Sequence, residues 1–410
     1  MSDLYELPNG WEWKKLTEVV IIGCDKGFKP TVSDGKVPFI GMTDIDEDKG
    51  RDSKYVLKDY EKVSKGKTKF QKNAVLVGKI TPCTQNNKTT IVPSDIDGGF
   101  ATTEVYALHT MDNMTPLYLN YFIRSNKINE YLVSTMIGAT GRQRVPSDTI
   151  KNLDIPLPPL SEQQRIVSKL DLLFEKIDKS IALHQKNMDE ADIFIGSVLN
   201  DVFGELEEKY ENDILKNISN IISGYAFKSS DFSNYNEIKS IKITNVGVKE
   251  FVEDEENRLS KDLLEKLSKY TVNSGDIVIA LTRPYISNGL KVTFVPNSYN
   301  GAFVNQRVAA IQSKNNISLI NYIYYYLCTS NILTNVMELS KTLNQPNLSI
   351  KDLSNFEIPT PPLNIQQKVV KYLDEVSEKI EKVKSVQKEK MDSLIALKAS
   401  ILDRAFRGEL

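Results

Sequence analysis

The sequence predicts an α+β protein: two homologous mixed α/β globules joined by two long helices that bury apolar seams against each other. Three observations carry that expectation. The 48 residues from Pro156 to Phe203 return from Pro359 to Phe406 at a constant offset of 203, with 18 identities and no gap. A block that keeps its length without insertions behaves as rigid structure, since loops would tolerate them. Apolar residues inside both copies follow a heptad spacing, and the segments before the two copies share short runs rich in Val, Ile and Phe.

In the first copy Pro158-Pro159 interrupts whatever precedes it, Ser161 is placed to cap the first turn, and Gly204 is expected to stop the helix. The apolar positions run Ile166, Leu170, Leu173, Ile177, Ile181, His184, Met188, Ala191, Ile195, Val198 and Val202. These steps of four and three, with one doubled step at Ile177–Ile181, make a heptad seam rather than a strand pattern. The second copy runs Val369, Leu373, Val376, Ile380, Val383, Gln387, Met391, Leu394, Leu397 and Ile401, less regularly. Leu170, Ile177, Met188, Leu373, Ile380 and Met391 are the representative seam residues. Each helix of about 43 residues would be about 65 Å long. His184 and Gln387 align on the seam, where a polar residue fixes register; solvated breaks in an imperfect seam explain them equally well. After Phe406 an inserted Arg407 precedes Gly408-Glu409-Leu410, the counterpart of Gly204-Glu205-Leu206.

The repeat continues more weakly into the globules. Ile40–Ile45 resembles Ile241–Val246, Val75–Val77 resembles Ile277–Ile279, and Pro82 pairs with Pro284. Val92-Pro93 and Phe100 likewise match Val295-Pro296 and Phe303. These are short β-rich runs punctuated by Gly, Asn, Asp and Pro, with helical stretches expected near Leu117–Tyr131 and Leu319–Met337. Each globule, at about 150 residues, has the size of a single domain.

Composition narrows the function. The 410 residues hold 52 Lys+Arg and 54 Asp+Glu, so charge must be read locally rather than from the total. The longest apolar stretches, such as Val75–Val77 and Tyr322–Cys328, fall far short of the ~20 residues of a membrane helix. The amino terminus has no basic or apolar leader, and a cytoplasmic location is expected. Cys24, Cys83 and Cys328 lie far apart, which fits reduced thiols. With only His109 and His184 as imidazoles, a His-based metal or catalytic centre is not expected. Gly66-Lys67-Thr68 mimics a P-loop end, but Glu61 stands where the earlier glycine belongs. Asp44, Asp46 and Asp48 mimic a calcium loop, but its sixth position is Lys49 and its twelfth Tyr55, so these carboxylates read as turn residues.

Two globules on rigid helices suit a long partner contacted at two fixed points, and DNA is such a partner. The helical blocks resemble each other more than the globules do, so spacing is kept while contact surfaces have diverged. A divergent pair fits an asymmetric bipartite target. A Pro-Pro-Leu-x-x-Gln-Gln helix ending Phe-Gly-Glu-Leu returns as a second ending Phe-Arg-Gly-Glu-Leu, behind the opening Leu7–Leu16 and the lead Gly138–Pro159. In these motifs and their order the chain resembles the specificity subunit (HsdS) of Type I restriction-modification enzymes.

That resemblance implies target recognition domains at 1–155 and 207–358, with conserved helical spacers at 156–206 and 359–410 forming an antiparallel coiled coil. It further implies double-stranded DNA as ligand, two methyltransferase subunits and ATP-dependent restriction/translocase subunits as partners, and no catalysis by this chain. S-adenosylmethionine, ATP and Mg are then expected on the partner subunits, with no cofactor here. In keeping with that division, the chain has no Asn-Pro-Pro-aromatic or Asp-Pro-Pro-aromatic tetrapeptide of the kind that holds a flipped adenine.

Local charge nominates DNA contacts. From Lys49 to Lys88 there are eleven Lys/Arg and three acids, a patch suited to phosphate, with Lys65, Lys67, Lys69, Lys72, Lys79 and Lys88 as candidates. Gln85, Asn86 and Asn87 lie in a polar turn; Gln and Asn pair bidentately with adenine, and an Asn-rich hairpin turn is equally ordinary. The equivalent turn of the second globule carries Arg283, Tyr285 and Asn288. Arg142, Gln143 and Arg144 align with Asn344 and Gln345 just before the helices, and suit either DNA contact or pinning the globule. Arg307 is a weaker candidate. An acidic cluster at Glu250 and Glu253–Glu256 must face away from phosphate. The competing reading is a cytoplasmic tandem-domain coiled-coil scaffold that binds protein partners.

Overall fold

The computed structural model describes residues 5–25, 27–46, 50–51, 53–139, 141–287, 289–314, 317–340 and 346–410. The chain divides into two compact units, Met1–His184 with Glu389–Leu410, and Gln185–Lys388. Each unit therefore takes one globule, the start of one long helix and the end of the other.

In the first unit a four-stranded antiparallel sheet runs in the order Val20–Ile22, Val105–Thr110, Val75–Gly78, Thr89–Ile91. A second sheet runs Val56–Asp59, Lys36–Ile40, Gly98–Ala101, Thr68–Gln71, with a parallel pair at its centre. Val75–Gly78 is buried on both faces, so it reads as a continuous apolar run rather than an alternation. The second unit repeats this topology. Its first sheet runs Ser219–Ser223, Val308–Ser313, Ile277–Ala280, Val292–Phe294, and its second contains the parallel pair Ile238–Ile241 and Phe303–Val304. The weak sequence matches at Ile40, Val75 and Phe100 thus mark equivalent strands. Each expected helical stretch is two helices, Pro116–Arg124 and Asn126–Ser134 in one unit, Ile320–Leu327 and Ser330–Leu339 in the other.

The long helices are Leu160–Lys209 and Leu363–Phe406, of 50 and 44 residues. At 1.5 Å per residue they are about 75 and 66 Å long. Ser161 does not cap the first. The helix already begins at Leu160, and the Pro159 carbonyl accepts from Glu162 N–H (2.9 Å) and Gln163 N–H (3.0 Å). Nor does Gly204 end it. A glycine in a helix interior costs about 1 kcal/mol, but Phe203 and Leu206 on either side are buried in the second unit's core, and the helix runs on to Lys209. The counterpart Gly408 does follow a helix end: it sits at φ +75°, and Glu409 N–H donates back to Arg404 O at 3.0 Å.

Packing within each unit runs antiparallel. In the first, Arg165 reaches Leu410 O (2.7 Å) and Asp178 pairs with Lys398 (2.7 Å). In the second, Asn187 meets Gln387 (3.5 Å) and Asp192 pairs with Lys384 (2.8 Å). Ile166, Leu170, Ile177, Ala191, Ile195 and Leu373 are buried, and Met188, Ile380 and Met391 half-buried, as the heptads require. The seam departs from the expected pattern at Val383 and Leu397, which are 46% and 48% exposed. The next residues, Lys384 and Lys398, take those places, covering the seam with their stems while their ammonium groups reach Asp192 and Asp178. His184 and Gln387 are both half-buried on the seam. No helix among the described residues is long and apolar enough to cross a membrane.

The Gln-Gln motif has a structural purpose. Gln163 is fully buried; its Oε1 accepts from Thr115 N–H (2.9 Å) and its Nε2 donates to Asn113 O (2.9 Å) and Pro158 O (3.0 Å). Gln366 repeats this with Leu319 N–H (3.0 Å), Ile317 O (3.1 Å) and Pro361 O (2.9 Å). At the opposite helix ends Phe406 packs edge-on against Tyr118 and Phe122, and Phe203 against Tyr322 and Tyr326. Each globule is thus clamped to one helix start and one helix end. Gln163→Leu would leave buried backbone groups unpaired, at about 1 to 3 kcal/mol each. We expect the first unit to lose about 3 kcal/mol, read as a drop of roughly 6 to 12 °C in its melting temperature.

Candidate nucleic-acid interface

In the first unit, residues 81–87 form a turn between Val75–Gly78 and Thr89–Ile91. The buried Thr84 hydroxyl donates to Gly78 O (3.0 Å), and Asn86 N–H donates to Pro82 O (2.9 Å). Asn87 adopts φ +53° and its amide donates to Arg124 O (2.8 Å), so this side chain ties the turn to the helix Pro116–Arg124. Gln85 and Asn86 are exposed on the turn.

The segment before the helix adjoins this turn. Ile137 and Arg144 exchange backbone hydrogen bonds (3.0 and 2.9 Å), Thr81 N–H donates to Gln143 O (3.0 Å), and Val145 N–H to Lys79 O (2.8 Å). Two candidate groups far apart in sequence therefore form one rim: Lys79, Gln85, Asn86, Arg142, Gln143 and Arg144, with Ile137 66% exposed among them. Arg144 pairs with Glu104 (2.7 Å). The Lys79 ammonium lies 4.8 Å from the Tyr106 ring centre, and burial, followed by the nearby Arg144 charge, pulls its pKa below the usual lysine value.

The rest of the basic run lies elsewhere. Lys65 and Lys67 are exposed between the short helix Tyr60–Val63 and the strand Thr68–Gln71 of the other sheet, and Lys72 is exposed just after it. Lys69 donates to Phe28 O (2.6 Å), and Lys88 to Met42 O (3.3 Å). The apparent single patch is thus distributed over two sheets.

The second unit repeats the rim with different side chains. Arg283 N–H donates to Pro346 O (2.8 Å) and Leu348 N–H to Leu281 O (2.7 Å), the counterparts of the Thr81–Gln143 and Val145–Lys79 bonds. Arg283 is exposed at φ +48°. Tyr285 lies in a two-stranded hairpin with Gly289–Leu290 and is half-buried against the core, whereas Arg307 is exposed before the strand Val308–Ser313. Asn288, Asn344 and Gln345 lie outside the described residues.

Sequence reasoning missed an aromatic group here. Tyr225, Phe227 and Tyr270 pack together, Phe227 also meets Phe232 and Phe303, and Lys242 lies 3.8 Å from the Phe232 ring centre. Gly224 permits this because a Cβ there would stand 2.1 Å from Asn305 O. The available signal was the dipeptide Phe28-Lys29 after the strand Val20–Ile22, repeated as Phe227-Lys228 after Ser219–Ser223. In the acidic cluster Asp254 accepts from Asn245 (2.9 Å) and Glu255 pairs with Arg258 (2.8 Å). Asp44 accepts from Gly41 N–H (2.7 Å), a turn carboxylate as expected, and Asp48 lies outside the described residues. His109 is a core residue whose Nε2 accepts from Gln71 N–H (3.0 Å), and burial holds its pKa down.

Residues 8–190 and 207–389 each match the Type I restriction modification DNA specificity domain. These matches take up most of the chain, and the protein belongs to that family: it is a Type I specificity subunit with two target recognition domains. It is similar to the EcoAI specificity subunit of Escherichia coli, 25% identical over 98% of this chain and 83% of that one. It is also similar to the MjaVIII specificity subunit of Methanocaldococcus jannaschii, 30% identical over 72% of this chain and 71% of that one. The fold is shared with a chain solved in a study of complex assembly and conformational transition of the type I R-M system, at TM-score 0.78, 24% identity and 99% and 100% coverage. The HsdS subunit from Thermoanaerobacter tengcongensis matches at TM-score 0.54, 23% identity and 99% coverage of both chains.

Proposed function

We propose that this chain gives a Type I complex its DNA sequence, each recognition domain reading one half of an asymmetric split target while the long helices set the gap and dock methyltransferase subunits. The observation that carries this reading is the duplicated rim. The same backbone hydrogen bonds join a turn to the pre-helix segment in both units, but the side chains presented differ, Gln85, Asn86 and Arg142 in one against Arg283 in the other. A fixed frame with divergent readers is what two unlike half-sites require. Direct readout at such a rim would use Gln or Asn on adenine and Arg on guanine.

The helices offer outer surface for partners: Leu172 and Leu183 in the first unit, and Ile193, Phe194, Tyr372 and Val386 in the second, are apolar and 40% or more exposed. On this reading two methyltransferase subunits bring S-adenosylmethionine, restriction/translocase subunits bring ATP and Mg, and the complex works in the cytoplasm. Duplex binding by the chain with its methyltransferase should weaken steeply with salt. Replacing Lys65, Lys67 and Lys72 with Gln should lower the slope of log K against log salt by about 0.9 for each phosphate no longer neutralised, with the preferred sequence unchanged. Association with duplex that is insensitive to salt would instead support the protein scaffold.

A further inference from the structure

The two units treat one place at the junction of globule and helices differently. The loops after Lys36–Ile40 and after Ile238–Ile241 have equal length, because Val37 pairs with Lys58 and Ile238 with Leu259, both 201 residues later. By count Arg51 corresponds to Val252, but the loops take different paths: Lys54 N–H returns to Asp44 O (3.2 Å) in the first unit and Val252 N–H to Asn245 O (2.9 Å) in the second. In the first unit the loop is fastened down: Asn120 donates to Gly50 O (3.0 Å), and the Arg51 guanidinium bonds the Tyr121 hydroxyl (2.8 Å) and both oxygens of Asp171 on the long helix. Tyr121 also donates to Asp171.

The second unit keeps the acceptor without its ion pair among the described residues. Tyr325 donates to Asp374 (2.6 Å), repeating the Tyr121–Asp171 bond, and no ion pair to Asp374 occurs among the described residues. Burial, then the Asp374 hydrogen bond, pushes the Tyr325 hydroxyl up to about 12, so it remains a donor at neutral pH. Beside Tyr325 the second unit has a cavity of about 910 Å³, which the Asp374 carboxylate adjoins through the Tyr325 hydroxyl. It is lined by Tyr324, Tyr325 and Cys328, the counterparts of Asn120, Tyr121 and Arg124. Its wall carries four carboxylates, Asp189, Asp192, Glu250 and Glu381, against Lys249 and Lys384, and Lys384 is already paired with Asp192. Ile193, 72% exposed, lies at the same wall.

We propose that this cavity is a socket for an arginine of the docked methyltransferase subunit, whose guanidinium takes on Tyr325 and Asp374 the position that Arg51 takes on Tyr121 and Asp171. The net acidic wall favours a cation, the planar acceptor pair favours guanidinium over ammonium, and the exposed Ile193 favours a cation carried on a protein segment. The inference rests on the reading that a methyltransferase subunit docks on the long helices.

The test is affinity between the full chain and its methyltransferase, with Asp374→Asn and Tyr325→Phe. Asp374→Asn removes the charge that the arginine meets, and should weaken association at least tenfold while the chain keeps its melting temperature. Tyr325→Phe removes the hydroxyl bound to Asp374 and leaves the charge, and should weaken association several-fold while the chain keeps its melting temperature. Folded Asp374→Asn chain that binds as tightly as wild type overturns the socket. Wild-type chain that does not bind methyltransferase at all overturns the docking reading, and the socket with it.

Discussion

Exchanging residues 207–358 for the second recognition domain of another family member should change one half of the methylated target, leaving the other half and the gap as they were. The expectation follows from how each globule is attached. The second globule is held by the Gln366 clamp, by Phe203 against Tyr322 and Tyr326, and by the two-stranded closure of Asn212–Ile214 with Glu357–Pro359. All of these lie within the second unit. The first unit has its own Gln163 clamp, its own Phe406 packing and its own closure of Glu12–Lys15 with Asp154–Leu157. A donor domain that retains the tyrosine pair seats on the same helix surfaces of the second unit. Sequencing of modified DNA reads the outcome, and a change in both halves would contradict one domain reading one half.

Deleting one heptad from both helices, 184–190 and the facing 386–392, should shorten the preferred gap while both half-sites keep their sequence. The facing residues follow from the pairs Asp178–Lys398 and Asp192–Lys384, whose numbers rise on one helix as they fall on the other. Seven residues remove about 10.5 Å of helix, the rise of about three base pairs. The heptad leaves the seam in register with a drift of about 20°. Three base pairs turn the duplex by roughly 100° at 10 to 10.5 pairs per turn, so modification should also slow. We expect at least a tenfold loss on the original target, with the best remaining target carrying the shorter gap. An unchanged gap with altered half-sites would refute the ruler.

The parts of this architecture written in local spacing were readable in advance. The heptads at Ile166–Ile195 gave the seam, and the indel-free repeat gave the duplicated frame with matching strands at Val75 and Ile277. What escaped was set by tertiary context. Gly204 spells a stop but lies between two residues buried in the second unit, so packing carries the helix past it. Val383 and Leu397 fit the heptad, yet lysines displace them because acidic partners wait on the facing helix. The Gln-Gln motif was legible as a pattern, but its clamp joins residues about 50 positions apart. The rim joins Thr81 to Gln143, and the lysine run parts between two sheets, neither of which one-dimensional charge counting can see.

The most direct test is a map of methylated adenines across the genome of host cells with and without this gene, the methyltransferase gene being intact in both. Loss of one split, asymmetric motif on deletion, and its return on complementation, is the predicted result. An unchanged methylome, with this chain and its methyltransferase both shown to be expressed, would contradict it.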